Sequence, residues 1–341
     1  MIFSRAFSKL LAVLVWVALL GGQNLHAAEP ATAEQKKAFR EALDGAIARP
    51  EGAMAVPGRD GWLFFDKELR HLADGAYWGE GANDPLPAIL DFKSQLDKVG
   101  IELLVVPVPA KAAIYPDKLT ALIPPPPATP GNLAEQDAAF IEVLTSHGVR
   151  VLDLTGDFLE ARGAGVGTYC RTDTHWSPEG IRIAAEKIAE LVSPSSWVAA
   201  QARLPVRTEA AEIQIRGDLA PADGPMETIP ARRVVEANVP GSTGIPDSRN
   251  SPVILLGDSH NLVFHAGGEM HANGAGLPDQ LCLALGFPMD VVAVMGSGST
   301  AARRNLARRK DNLAGKKLVI WCFSTREFTH GQGWAKLQVV K

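Results

Sequence analysis

Three residues of this chain have the types and spacing for acyl-transfer chemistry. Ser259 lies in the stretch 251–261, SPVILLGDSHN, directly after Gly257-Asp258 and a short apolar run, 253–256. That pattern reads as a buried strand ending in a tight turn that presents one hydroxyl. A serine hydroxyl becomes a useful nucleophile only when a base takes its proton and a third group orients the base. The stretch 172–180, TDTHWSPEG, supplies both, as His175 and Asp173. With one residue between them, the carboxylate can accept from one ring nitrogen while the other faces the serine. Each stretch also has a bland explanation: a structural turn for the first, a helix cap with a partly buried histidine for the second. Together in one chain they favour acyl transfer over either explanation alone.

An acyl intermediate also needs donors for its oxyanion. Ser259 offers its own N–H, and Gly298, in Gly296-Ser297-Gly298-Ser299-Thr300, offers a second at the start of a helix; a plain tight turn is the alternative. His260, His265 and His271 follow the serine, but with Asp258 their spacings fit no common zinc pattern, so loop or supporting roles are expected and no metal or cofactor is called for. Arg303, Arg304, Arg308, Arg309 and Lys310 form a basic run whose expected role is a solvated helix face. If that run begins beside the site, it could also attract an anionic polysaccharide.

Two distant stretches can meet only if a sheet brings them together. Helical spacing predicts helices over 32–48, with Thr32 as cap, and over 84–99 and 132–147. Strands are expected at 62–65, after the turn cluster 57–61, and at 101–106, 149–154, 253–256, 291–295 and 318–323. The order helix, glycine, strand occurs twice, at Gly100 and Gly148, as in a doubly wound parallel sheet. Pro124–Pro127 reads as an extended spacer, and a glycine-rich loop, 163–172, leads to Asp173. Ser177-Pro178 is a strong helix start, and the helix runs to about Val192. Residues 197–250 carry short alternating runs with many Pro and Gly, and are expected to form a β-rich insertion. Helices over 279–285 and 301–310 and a tail, 324–341, complete the chain.

The chain has 341 residues, 46% hydrophobic and 21% charged, enough for one large domain or two small ones. A net charge of −4 leaves no basic footprint for nucleic acid. Arg5 and Lys9 precede an apolar run, 10–20, and then the small residues Ala27-Ala28, the plan of a signal peptide over 1–28, cleaved or retained as an anchor. The run is short of the roughly 20 residues a spanning helix needs. Either outcome exports the remainder, 29–341. Three cysteines, Cys170, Cys282 and Cys322, allow at most one internal disulfide; Cys282 and Cys322 lie in apolar runs and read as buried thiols.

The motifs carry a family resemblance. GDS at 257–259, the glycine-containing loop at 296–300 and Asp-x-His at 173–175 resemble the motif blocks of SGNH hydrolases, but in permuted order, with the Asp/His block first. DTHW before GDS resembles the AlgX/AlgJ family of polysaccharide O-acetyltransferases, and GRDGWLF, VPVPAKAAIY, RGDL and LVIWCFSTREF are similar to stretches of the same family. No region beyond the core resembles a carbohydrate-binding module, so the AlgJ type is the nearer. The resemblance covers roughly residues 50–330. It implies an SGNH hydrolase-like, three-layer α/β/α (flavodoxin-like) fold and a periplasmic enzyme with Ser259 as nucleophile, His175 as base and Asp173 as its orienter. It also implies an exopolysaccharide acceptor, alginate-like or other, and an MBOAT-type membrane acyltransferase as donor partner. Where SGNH enzymes carry an oxyanion-hole Asn, this chain reads Ser324-Thr325-Arg326; Arg326 is expected to supply charge stabilisation or a substrate contact. A secreted carbohydrate esterase using the same residues with water, and a non-catalytic scaffold of an export complex, remain the alternatives.

Overall fold

The computed structural model describes residues 30–48, 54–79, 81, 83–126, 128 and 130–341. The expected leader, 1–28, lies outside the described residues, as does Pro127 of the spacer. No helix among the described residues is long and apolar enough to cross a membrane.

Strands β1 (Ala55–Pro57) and β2 (Leu63–Phe65) form an antiparallel hairpin. Strands β3 (Glu102–Val108) and β4 (Arg150–Val151) come next, then the long pair β5 (Val206–Ile215) and β6 (Glu227–Glu236). Strands β7 (Val253–Gly257), β8 (Asp290–Ala293) and β9 (Leu318–Ser324) end the series. Five of them make one parallel sheet in the order β4-β3-β9-β7-β8. The chain builds outward from β3 to β4, crosses over, builds outward again from β7 to β8, and places β9 last, in the gap between β3 and β7. Connections leave β3 and β7 in opposite directions, and that divergence opens a crevice at the carboxyl ends of the strands.

The near-continuous apolar runs of the central strands follow from burial on both faces. Leu104, Val106, Val253, Leu255, Leu318 and Ile320 share one core with helices Pro178–Val192 and Leu277–Leu285. Their alternating neighbours Leu103, Val105, Ile254, Leu256, Val319 and Trp321 share the other, with helices Leu86–Lys98, Glu135–Ser146 and Thr300–Arg308. The result is the expected three-layer α/β/α architecture. In the segment expected to be β-rich, β5 and β6 form a separate antiparallel ribbon.

Two local expectations change. The strand expected over 149–154 is reduced to the edge pair of β4, because Asp153 turns the chain into a helix, Thr155–Gly163, by accepting the Thr155 N–H at 2.8 Å. That helix occupies the stretch just before the glycine-rich loop. Arg303 does not join a solvated face: it is fully buried, its guanidinium 5.1 Å from the Trp321 ring and 5.7 Å from that of Trp334. All three cysteines are buried and free.

Two residues fix the framework around the crevice. A Cβ on Gly257, at the end of β7, would lie 1.7 Å from the carbonyl oxygen of Cys322 on β9, so only glycine lets the two strand ends approach. Lys111, fully buried at the end of β3, donates from Nζ to the carbonyls of Leu63, Arg171 and Asp173 at 2.7, 3.0 and 2.9 Å. Burial brings its pKa down to about 8, against the pull of Glu68, Asp173 and other nearby groups. Gly257→Ala is expected to cost at least about 3 kcal/mol, read as a fall in the urea midpoint, because backbone rather than a flexible side chain blocks the methyl. Lys111→Met removes three hydrogen bonds to carbonyls, of which that to Asp173 is buried; a loss of about 3 kcal/mol is expected, with faster amide exchange in 171–173 than elsewhere in the sheet.

Candidate active site

The serine turn is built on a buried carboxylate. Ser259–Asn261 is a single 3-10 turn, so the Ser259 N–H, at its first position, has no acceptor within the turn. Asp258 caps it: Oδ1 accepts the His260 N–H at 2.9 Å and pairs with His260 Nδ1 at 3.0 Å, while Oδ2 accepts the Ser324 N–H at 2.9 Å. Asn261 donates hydrogen bonds from its side-chain amide to the carbonyls of Asp258 and Cys322 at 3.1 and 2.8 Å. The turn is thus stitched to the end of β9. Burial pushes the Asp258 carboxyl up, but His260, Arg326 and the Ser324 N–H outweigh it and hold it far below the carboxylate range. Burial, aided by the charges of His175 and Arg326, brings His260 down to about 4 despite its carboxylate, so it is neutral.

The histidine loop is fixed by the helix behind it. Ser177 caps that helix, its Oγ accepting from Gly180 at 3.1 Å and donating to the Gly167 carbonyl at 2.6 Å. Trp176, fully buried, donates from its indole to the His260 carbonyl at 3.1 Å and so ties the histidine loop to the serine turn. Across this tie, His175 Nε2 lies 2.7 Å from Ser259 Oγ and His175 Nδ1 lies 2.6 Å from Asp173 Oδ1. An ionised carboxylate only accepts, so Nδ1 carries the proton and Nε2 faces the hydroxyl with its lone pair. Ser259 is 6% exposed, His175 4% and Asp173 0%.

Asp173 is held on every side. Oδ1 also accepts the His175 N–H at 2.9 Å, and Oδ2 accepts the Asp218 N–H and pairs with His271 Nε2, each at 2.8 Å. Burial alone would push its carboxyl up; the charges and hydrogen bonds of His175 and His271 hold it well below the usual range instead. Burial likewise opposes a charged His175, but the charge and hydrogen bond of Asp173, with help from Asp218, raise its pKa above the ordinary 6.5.

The β5–β6 ribbon reaches into this loop. Glu227, the first residue of β6, accepts the N–H groups of Arg171 and Thr172 at 2.9 and 3.2 Å. Asp218, in the ribbon's turn, accepts the Thr174 N–H at 2.7 Å and its hydroxyl at 3.0 Å. A Cβ on Gly217 would lie 2.1 Å from the Thr172 carbonyl oxygen, which is why a glycine precedes Asp218.

Gly298 does not take the place expected of it. Its N–H donates to Glu327 Oε2 at 3.1 Å, and the adjacent Ser299 N–H to the same oxygen at 3.3 Å. It is glycine because a Cβ would lie 2.6 Å from that of Phe323 and 3.0 Å from the Asp258 nitrogen. Its role is close packing against the serine turn, not donation into the crevice. Arg326 is 6% exposed at the end of β9; its guanidinium makes no ion pair among the described residues, its Nη1 is buried without a hydrogen bond, and it packs over the Phe65 ring at 5.1 Å. Asp173, His175 and Asp218 have ligand atoms within 4.8 Å of one another. A cation there would have to displace the bonds His175 makes to Asp173 and Ser259, so the set fits a hydrogen-bond relay better than a metal centre.

The histidines after the serine take supporting roles, as their spacing suggests. His260 serves Asp258, His271 serves Asp173, and His265 joins Asp279 and Asp247 at 2.9 and 3.1 Å. Trp176 and Lys111 stand in motifs that sequence reasoning quoted without assigning them work. The contact of His271 with Asp173, 98 residues apart in the sequence, has no sequence signal.

Residues 55–325 match the family described as "SGNH hydrolase-like domain, acetyltransferase AlgX". The "Probable alginate O-acetylase AlgJ" of Pseudomonas fluorescens is 28% identical over 231 residues, 64% of this chain and 56% of that protein. Its namesake in Azotobacter vinelandii is 26% identical over 285 residues, 80% of this chain and 69% of that one. The chain thus spans little more than half the length of the Pseudomonas fluorescens relative. Among solved structures, the O-acetyltransferase domain of Pseudomonas putida AlgJ superposes with a TM-score of 0.59 at 24% identity, over 80% of this chain and 91% of that one. Pseudomonas aeruginosa AlgX does so with 0.57 at 18%, over 79% and 62%. These two are likenesses of fold. A family match that runs from β1 to the turn after β9 takes in the whole five-stranded sheet, and the chain belongs to the SGNH hydrolase-like acetyltransferase domain family of the AlgX kind.

Proposed function

We propose that the chain is a periplasmic O-acetyltransferase that moves acetyl groups onto hydroxyls of an exopolysaccharide, through an acetyl-Ser259 intermediate. The observation that carries this reading is the unbroken hydrogen-bond line Ser259–His175–Asp173 at the crevice, at 2.7 and 2.6 Å. Family membership and the alginate O-acetylase names of the relatives support the acetyl group and the polysaccharide. Alginate or a similar polymer is the acceptor class they point to. The leader-like segment fits export, where cytoplasmic acetyl donors are out of reach; an MBOAT-type membrane acyltransferase is the proposed donor partner.

In the first half-reaction His175 Nε2 takes the Ser259 proton as Oγ attacks the acetyl carbonyl of the donor. The tetrahedral intermediate collapses, His175 returns the proton to the leaving group, and the acetyl ester of Ser259 remains. In the second, His175 takes the proton of a sugar hydroxyl, the sugar oxygen attacks the ester, and the proton returns to Ser259 as the acetylated sugar departs. Asp173 keeps the ring oriented and stabilises each imidazolium. For the oxyanion we propose the Ser259 N–H together with Arg326. Arg326 is buried and its Nη1 has no hydrogen bond, so an oxyanion formed beside it would supply the missing acceptor.

Purified protein given an activated acetyl ester and an oligosaccharide acceptor should yield acetylated acceptor by mass spectrometry. Free acetate as the sole product would favour the esterase, and no turnover, with no Ser259 labelling by a fluorophosphonate, the scaffold. Ser259→Ala should lower turnover at least about 10⁴-fold. Arg326→Gln should slow acylation about 10²–10³-fold, as loss of an oxyanion donor does, with the fold intact by circular dichroism. His175 must be neutral to take the proton, and its pKa lies above 6.5, so turnover should fall as pH drops through a limb above that value. A limb well below 6.5 in the pH–rate profile would contradict the assignment of His175 as base.

A further inference from the structure

Resting on the proposed acyl-transfer reading, we infer that His271 is a positioning residue: it extends the line to Ser259–His175–Asp173–His271, fixes the Asp173 carboxylate from its far side and moderates the basicity of His175. His271 Nε2 lies 2.8 Å from Asp173 Oδ2, the oxygen that does not hold His175. Only a donor is compatible with an ionised carboxylate there, so Nε2 carries a proton in every charge state of this ring that keeps the contact. A second donor at Oδ2 draws negative charge away from Oδ1. The carboxylate then stabilises the His175 imidazolium less than it would alone, and its plane cannot rotate.

The placement of His271 is specific. Its backbone sits at φ 71°, a region few non-glycine residues adopt. The segment around it is closed on itself: Phe264 N–H donates to the Met270 carbonyl, Gly267 N–H to Ala272 and Ala275 N–H to Phe264. The Phe264 ring lies 5.5 Å from the imidazole. His265, paired with Asp247 and Asp279, anchors the same segment to helix Leu277–Leu285.

The titratable and charged groups around Asp173 come from every side. His175 and Cys170 belong to its own loop, Asp218 and Glu227 to the ribbon and Lys111 to the end of β3. His260 belongs to the serine turn, its ring 4.8 Å from that of His175, and Arg326 to the turn after β9. None of them donates to Oδ2; the other donor there is the Asp218 backbone N–H, which does not titrate. A change at Oδ2 between variants of residue 271 is therefore a change in His271 alone.

The test is a pH titration of His175 by imidazole nitrogen NMR in the wild type, His271→Leu and His271→Gln, with fluorophosphonate labelling of Ser259 measured alongside. Loss of the donor leaves more charge on Oδ1. In His271→Leu the pKa of His175 should rise by about one unit, the size of one hydrogen bond to a charged group, and the acid limb of labelling should move with it. The labelling plateau should fall about tenfold as Asp173 loses its fixed orientation. The side-chain amide of His271→Gln can donate to the same oxygen, and both values should return towards the wild type. An unchanged His175 pKa in His271→Leu would overturn the inference even if labelling slowed, because a merely structural residue alters the plateau and not the titration. Should His271→Leu not fold, His271→Ala takes its place in the same comparison. Absence of wild-type labelling would sink the acyl-transfer reading and leave the NMR comparison to decide His271 separately.

Discussion

A carboxylate with no exposure to solvent must find its hydrogen bonds inside the protein or lose its charge. Asp173 is that group here, and much of the structure exists to satisfy it. His175 takes one oxygen, His271 and the Asp218 N–H the other, and Lys111 holds the residue's own carbonyl. Each donor comes from a different part of the chain. Meeting them together requires the end of β3, the ribbon, the segment after the serine and the loop before helix Pro178–Val192 to converge on one point.

The serine turn solves the same problem with the same local device. Asp258-Ser259-His260 and Asp173-Thr174-His175 are both Asp-x-His units in which Oδ1 accepts the N–H two residues on and pairs with that residue's Nδ1. The pKa values of the two histidines nevertheless move in opposite directions. The charge and hydrogen bond of Asp173, with help from Asp218, raise that of His175 against burial; burial, aided by the charges of His175 and Arg326, brings that of His260 down to about 4. On the proposed mechanism one unit supplies the base, and the other a neutral ring that steadies the turn. Trp176 joins them through the His260 carbonyl, which places a proton acceptor beside a hydroxyl without relying on either loop being stiff alone.

Much of this was legible in the sequence because it depends on local patterns. Apolar runs named the sheet strands, Ser177-Pro178 named the helix behind His175, and the Asp173/His175 and Ser259 stretches stood out by residue type and spacing. The reading of Gly298 failed for a physical reason: a glycine-rich turn at a helix start offers N–H groups, but sequence cannot say that Glu327, adjacent to Arg326, already occupies them. Edge strand β4 shrank because the Asp153 carboxylate, by accepting the Thr155 N–H, turns the chain away from strand pairing and into a helix. Arg303 looked solvated because charge runs usually are, whereas two tryptophans distant in sequence shelter it. The contacts of Lys111, Glu227 and His271 with the loop before His175 join residues far apart in the chain, and no periodicity encodes them.

On the proposed mechanism Ser259 carries the acetyl group between donor and acceptor. The most direct measurement is peptide mass spectrometry of the protein quenched in acid within the first turnover of an activated acetyl ester, with no acceptor present. One acetyl group is expected on the peptide that contains Ser259, removed when an oligosaccharide is added before the quench. Acetylation absent from that peptide while turnover proceeds, or found on another residue and discharged by the acceptor, would contradict it.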